Sequence, residues 1–332
     1  MPEPMTQAWL DLVAEEVIDP AQRIVDPHHH LWPVGGPLPY GIADLTADTG
    51  SGHLIERTVF IECRSSYRAD GPEHLRSLGE TEFVAAVALS DPQHLIGGIV
   101  AHVNLTDTDH LDDVLDQHTE LGGGQFRGIR DAGARDPHPE ALTIPGDAPE
   151  GLFTDPAFRA GVARLGARGL TYDSWHYHHQ NADFADLARA VPDTLMVLDH
   201  FGTPLGVGAY SNRRDEIFEA WKVDIAEIAK CDNVVAKLGG MAMPDNGFGW
   251  HTAPQPPTSD EFVAAQARYY LHPIECFGPE RCMFESNFPV DRLSLSYRVL
   301  WNALKKIAAP FSESERDAMF RGTATRVYRL DT

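Results

Sequence analysis

The sequence predicts a (β/α)8 barrel, an α/β fold, and three observations carry that reading. Eight apolar runs of strand length recur along the 332 residues. Segments with helical spacing separate most of them. The polar residues able to do chemistry gather at the C-terminal ends of the runs. Strands alternating with helices imply βαβ units and a parallel sheet. Eight such units in one chain fit a barrel whose strand ends open on a single mouth. A doubly wound open sheet is the structural alternative, but no GxGxxG follows the first run, which weakens its dinucleotide-binding form.

In chain order the runs are IVDPHHH (24–30), RTVFIEC (57–63), IGGIVAHVN (96–104), FRGIRDA (126–132), LTYDSWH (170–176), LMVLDHF (195–201), VVAKLGG (234–240) and RCMFESN (281–287). Helical spacing fills 155–168, 182–191, 215–231 and 259–277. Residues 1–20 read as an amphipathic helical extension (Trp9, Leu10, Leu12, Val13, Val17) leading into one domain that spans 1–332. The stretch 239–260 is rich in Gly and Pro and carries Phe248, Trp250 and His251. A loop of that length without an element of its own is commonly functional, so we read it as a lid or substrate wall, the alternative being a surface excursion.

Composition excludes several classes. A formal net charge of −22 argues against nucleic acid and anionic membranes, which need a basic surface. There is no apolar run long enough to cross a bilayer, and the acidic N-terminus lacks the basic start of a secretory signal. Cys63, Cys231, Cys276 and Cys282 form no CxxC pair and read as reduced thiols of a cytoplasmic protein. The expected partner is a small-molecule substrate, and a homo-oligomer stays open.

The polar strand ends are His28 and His30, Glu62 and Arg64, Arg130, His176 and His178, His200, Lys237, Glu285 and Asn287. Side chains alternate across a strand, so Asp26, His28 and His30 should share one face and His29 the other. Two imidazoles roughly 6.5–7 Å apart along a strand can converge on one ion such as zinc, or act without metal as electrophile and proton shuttle. His178 and His200 could join them. Arg130 offers a planar fork for a carboxylate or lactone oxygen, and Arg64 a second one, whereas Arg68 and Arg127 read as surface ion pairs. Lys237, a charge inside an apolar run, needs a buried partner, expected to be Glu62 or Glu285.

Taken in order, IVDPHHHLW, VFIECRSSYRADG, FRGIRDA, YHHQ, VLDHFGTPLG, VVAKLGG and RCMFESNFPVDR resemble the amidohydrolase superfamily. More narrowly they resemble the amidohydrolase-related branch containing 2-pyrone-4,6-dicarboxylate lactonase and the sugar-acid lactonases. The resemblance implies a barrel that hydrolyses cyclic esters. It places His28, His30, His178 and His200 as the histidines that polarise the carbonyl, directly or through one divalent metal such as zinc or manganese. The branch usually carries aspartate where Asn287 stands, and that aspartate takes the proton from water. An asparagine amide has no basic form, so Glu285, on the same face, or Asp291, in the following loop, is expected to accept the proton, while Asn287 could donate to an oxyanion. Glu62, Arg64, Arg130, His176, Lys237, Trp250 and His251 are expected to bind substrate. Metal-dependent decarboxylation on the same barrel, and a barrel that binds a metabolite without turnover, are the alternatives to lactone hydrolysis.

Overall fold

The computed structural model describes residues 2–331. Its centre is an eight-stranded parallel sheet in sequential order. The strands are β1 (Arg23–His29), β2 (Leu54–Ile61), β3 (Ile96–Ala101), β4 (Phe126–Ile129), β5 (Thr171–Ser174), β6 (Met196–Leu198), β7 (Val234–Leu238) and β8 (Cys282–Phe284). Past the end of β8 the chain returns to β1: His30 N donates to Phe288 O at 2.8 Å and Asn287 N to His28 O at 3.0 Å. These bonds close the barrel, so the sheet has no free edge to protect. The (β/α)8 architecture expected from the sequence is the one observed.

Helices precede, separate and follow the strands, and the longer ones bury apolar side chains against them. They are α1 (Gln7–Leu10), α2 (Ile42–Thr49), α3 (Leu78–Ser90), α4 (Leu111–Leu121), α5 (Pro156–Ala167), α6 (Asn181–Ala190), α7 (Arg214–Ile228), α8 (Ser259–Phe277), α9 (Tyr297–Ala308), α10 (Glu313–Asp317) and α11 (Thr323–Val327). Their starts are chemically marked. Asp155 accepts from Ala157 N and Phe158 N ahead of Pro156, and Thr258 and Glu261 form a reciprocal cap on α8, satisfying amides that have no partner inside the helix. The barrel interior is apolar at its lower end, where Val25, Val59, Val100, Val197, Val235 and Met283 pack with Val327 and Tyr328 from the C-terminus.

Three expectations are corrected here. First, Asp26 does not share a face with His28. The β1–β2 register slips between Asp26 and His29, where Pro27 and His28 oppose the single residue Val59. Such a bulge resets the alternation. Asp26 therefore turns outward to the hydroxyl of Tyr297 on α9, at 2.9 Å, while His28 turns inward. Second, the N-terminal helix is a single turn. Trp9 and Leu10 are buried, but Leu12 is exposed, and Trp9 Nε1 donates to Ala253 O at 3.0 Å. Third, 239–260 is tied down rather than free to close. Trp250 stacks between Phe248 and Phe262 of α8. No helix among the described residues is long and apolar enough to cross a membrane.

Candidate active site

The ends of β1, β2, β4, β6, β7 and β8 converge at the barrel mouth, as strand ends in this architecture must. Three of the residues placed there, Arg64, His200 and Asn287, have left-handed backbones (φ 58°, 53° and 56°). A non-glycine residue holds that conformation only where its surroundings enforce it, and such residues cluster at functional sites. Two glycines show the enforcement. A Cβ on Gly239 would lie 2.3 Å from Glu285 Cγ, and one on Gly240 would lie 2.3 Å from His200 Nδ1. The Gly-Gly that ends VVAKLGG is thus the space into which two site side chains press.

The hydrogen bonds assign the ring protons. His200 Nδ1 lies 2.7 Å from Glu285 Oε1 and His30 Nδ1 lies 2.8 Å from Ile61 O. A carboxylate and a carbonyl only accept, so both Nδ1 atoms donate, and burial keeps His30 neutral with its Nε2 bare. His28 sits behind this pair. Its Nε2 is 3.3 Å from His30 Nε2, and its Nδ1 is 2.8 Å from Glu285 Oε2 and 3.3 Å from Lys237 Nζ. Burial, then the neighbouring Lys237 ammonium, press the His28 pKa well below its ordinary value; burial and then Arg130 do the same to His30. Both imidazoles are neutral.

Lys237 pairs with neither Glu62 nor Glu285. Its ammonium lies between Asp173 Oδ2 (2.9 Å) and Asp199 Oδ1 (3.1 Å). Burial works against its charge, but those two carboxylates override it and lift its pKa. Arg130 is also engaged: Nε donates to Glu62 Oε1 at 2.8 Å, Nη2 to the Glu62 carbonyl, and Nη1 reaches Asp199 Oδ2 at 3.4 Å. Its fork therefore faces protein rather than a ligand. Asn287 donates to Asp291 Oδ1 at 3.0 Å, and burial lifts the Asp291 carboxyl to about 7.

A cavity of about 320 Å³ opens above these groups, and His30, His200, Glu62, Arg64, Arg130 and Asn287 reach its floor and sides. The walls come from Trp32, Leu38, Ile144, Pro145, Trp175 and Val290. Of the stretch 239–260 only Met243 contributes. Segment 143–147, after β4, supplies the wall that the sequence reading gave to 239–260.

Several expected site residues lie elsewhere. His176 leaves β5 outward, holds Ser174 Oγ and Asn181 Oδ1 at 2.9 and 3.0 Å, and packs on Phe184 of α6. His178 accepts from Leu205 N at 3.3 Å and stands against Tyr210. Among the described residues no hydrogen bond or ring contact joins it to His28, His30 or His200. Trp250 and His251 do not reach the cavity. The cause is shared: β5 ends at Ser174, so strand alternation does not govern residues 176–178, and the loop around Trp250 folds onto α8. Asp173, Asp199 and Tyr328 were missed. Aspartates inside apolar runs, as in LTYDSW and LMVLDHF, were the available signal, of the same kind as Lys237.

Comparison with known proteins agrees with this fold. Residues 25–330 match the amidohydrolase family model. The chain belongs to the amidohydrolase family. This amidohydrolase is 32% identical to protein y4mH of Sinorhizobium fredii over 92% of its own length and 98% of that protein. It is 31% identical to the L-fucono-1,5-lactonase of Burkholderia multivorans over 54% of this chain and 58% of the lactonase. Among solved structures, an amidohydrolase from Burkholderia multivorans crystallised with bound zinc superposes with a TM-score of 0.73 at 23% identity, covering 93% of this chain and 99% of that one.

The residues at the mouth fit a divalent cation. The Nε2 atoms of His28 and His30, 3.3 Å apart, are at a spacing that two ligands about 2.0–2.1 Å from one ion can share. His28, His200 and Glu285 also bring donor atoms within 4.8 Å of one another, and Glu285 Oε2 accepts no well-aligned hydrogen bond. When Glu62, Asp173, Asp199 and Glu285 are ionised, Arg130 and Lys237 balance only half of their charge. Nitrogen donors with one carboxylate suit zinc or a similar borderline ion.

Proposed function

We propose that this amidohydrolase opens a lactone or related cyclic ester of a small anionic metabolite. The observation that carries the reading is His200 Nδ1 held at 2.7 Å by a fully buried carboxylate, Glu285. A histidine oriented through one ring nitrogen by a carboxylate offers the other as a general base, and His200 borders the cavity. His200 Nε2 takes the proton of the attacking water, and Glu285 stabilises the imidazolium that forms. This dyad does the work of the aspartate that Asn287 replaces. As the ring C–O bond breaks, the same proton passes to the leaving alkoxide. Arg130, held by Glu62 and Asp199, keeps fixed positive charge beside the carbonyl oxygen. Trp32, Ile144 and Trp175 exclude bulk water, which strengthens those electrostatic terms. A divalent cation bound at His28 and His30 would polarise the carbonyl as a Lewis acid. The 31% identity to an L-fucono-1,5-lactonase supports the choice of cyclic ester.

The test is proton release in a pH-stat from L-fucono-1,5-lactone and from carboxylated lactones, using tag-free protein with its metal content measured. Turnover of at least one is expected. His200→Asn and Glu285→Gln should each lower kcat by about 100-fold or more, in the range seen when catalytic bases and their orienting groups are removed. Full activity in His200→Asn, or no acid release from any lactone, would refute the assignment.

A further inference from the structure

Beside the cavity lies a second, outer cleft of about 920 Å³, lined among others by Tyr67, Glu73, Arg76, His102, Asn104 and Thr106. Among the described residues only three border both spaces: Arg64, Ala132 and Asp147. Arg64 and Asp147 meet there fork to fork, Nη1–Oδ2 at 2.7 Å and Nη2–Oδ1 at 2.8 Å. Their side chains are 58% and 69% exposed. The pair is the partition between the two chambers.

We propose that Asp147 is a displaceable stand-in for a carboxylate of the substrate: an anionic ligand takes Arg64 from it, and the cavity and outer cleft become one elongated site. This deepens the lactonase reading and rests on it, since the cavity must be the substrate chamber.

Three features favour exchange at this pair and no other. The second guanidinium on the cavity, Arg130, is buried against Glu62 and Asp199. Taking it from them would strand buried carboxylates, which is strongly unfavourable. Arg64 loses only an exposed partner, and exposed ion pairs contribute little. A planar bidentate fork already occupied by one carboxylate has the geometry to accept another. Finally, the base of Arg64 is fixed while its tip is exposed. The buried carboxylate of Glu80 accepts from Cys63 N at 3.1 Å and Ser65 N at 2.7 Å, one residue to either side. The fork can therefore change partner without moving the strand end. The substrate class implied has its ester ring in the inner cavity, a carboxylate at the boundary, and room for an extension beyond it.

Binding can be read without turnover. Trp32 and Trp175 line the cavity, so their fluorescence should report titration with glutarate, a dicarboxylate with no ester to cleave. Arg64→Gln is expected to weaken glutarate binding at least tenfold. Asp147→Ala is expected to tighten it by about two- to fivefold, because a competitor is removed. General charge effects are separated by Glu73→Gln and Arg76→Gln, which change the same charges on the wall of the outer cleft. If these controls shift affinity as much as the Asp147 and Arg64 variants, the proposal fails. It fails equally if Asp147→Ala binds no tighter, or if wild type binds no glutarate at millimolar concentration. None of these results depends on lactone turnover, so a failure of the hydrolase reading is distinguishable from a failure of this one.

Discussion

At the scale of single residues, the site is built by subtraction as much as by placement. Gly240 has φ 72° and presses against His200; Gly249 has φ 71° and nothing within 4 Å of where its Cβ would stand. Alanine at Gly249 meets only left-handed backbone strain, about 1 kcal/mol. Alanine at Gly240 meets that strain and also pushes the imidazole off Glu285. We expect Gly249→Ala to lose a few degrees in Tm with kcat unchanged, and Gly240→Ala to lose more, with kcat falling about 100-fold. Equal kcat in the two would show that His200 tolerates displacement and is not the base. These residues also mark how far the sequence could be read. HxH, the histidine of LDHFG and the Glu–Ser–Asn motif were legible because strand ends face one mouth. The partner of each was not. The choice of Asp173 and Asp199 over Glu62 and Glu285 as partners of Lys237 depends on inter-strand register, which periodicity does not reveal. The bulge after Asp26 is a one-residue register event of the same kind.

At the scale of elements, the turn after β2 shows how a strand end is preorganised. Glu80 on α3 is fully buried, and its carboxylate bonds the amides of Cys63 and Ser65. Burial, then the nearby charge of Glu62, lift its pKa from 4.5 to about 8. The folded state therefore holds this proton more tightly than the unfolded chain. The sign follows: the contribution is fully present below about pH 4.5 and is lost as pH rises through about 8. Each pH unit between those values removes at most about 1.4 kcal/mol. Denaturant melts of wild type should lose stability between about pH 5 and 8, and Glu80→Gln, which keeps an acceptor for the amides but cannot ionise, should lack that slope. Identical slopes would assign the loss to other groups. The sequence offered no warning here, because a glutamate early in a helix reads as a dipole-compensating surface residue until the loop packs onto it.

At the scale of the whole molecule, the two ends of the barrel are joined by one buried column of charge. Tyr328, from the segment after α11, closes the lower end and its hydroxyl donates to Asp173. Asp173 holds Lys237 at 2.9 Å, Lys237 reaches Asp199 at 3.1 Å and His28 Nδ1 at 3.3 Å, and Asp199 reaches Arg130 at 3.4 Å. The barrel class was readable from the eight alternating units and their polar strand ends, but this column was not, since its members lie on β5, β6, β7 and the C-terminus. Its energetics follow from burial. Removing Lys237 leaves the buried Asp173 without a cation and Asp199 with Arg130 alone, a loss of about 3–5 kcal/mol. Removing the Asp173 charge at the same time relieves part of that repulsion. Lys237→Met should therefore be strongly destabilised in denaturant melts. Asp173→Asn combined with Lys237→Met should be less destabilised than the sum of the single changes, by about 1–3 kcal/mol for residues in one network. Additive effects would mean that the ammonium and the carboxylate act independently. In that case Tyr328 and Asp173 would seal the lower end of the barrel without supporting His28 at the mouth.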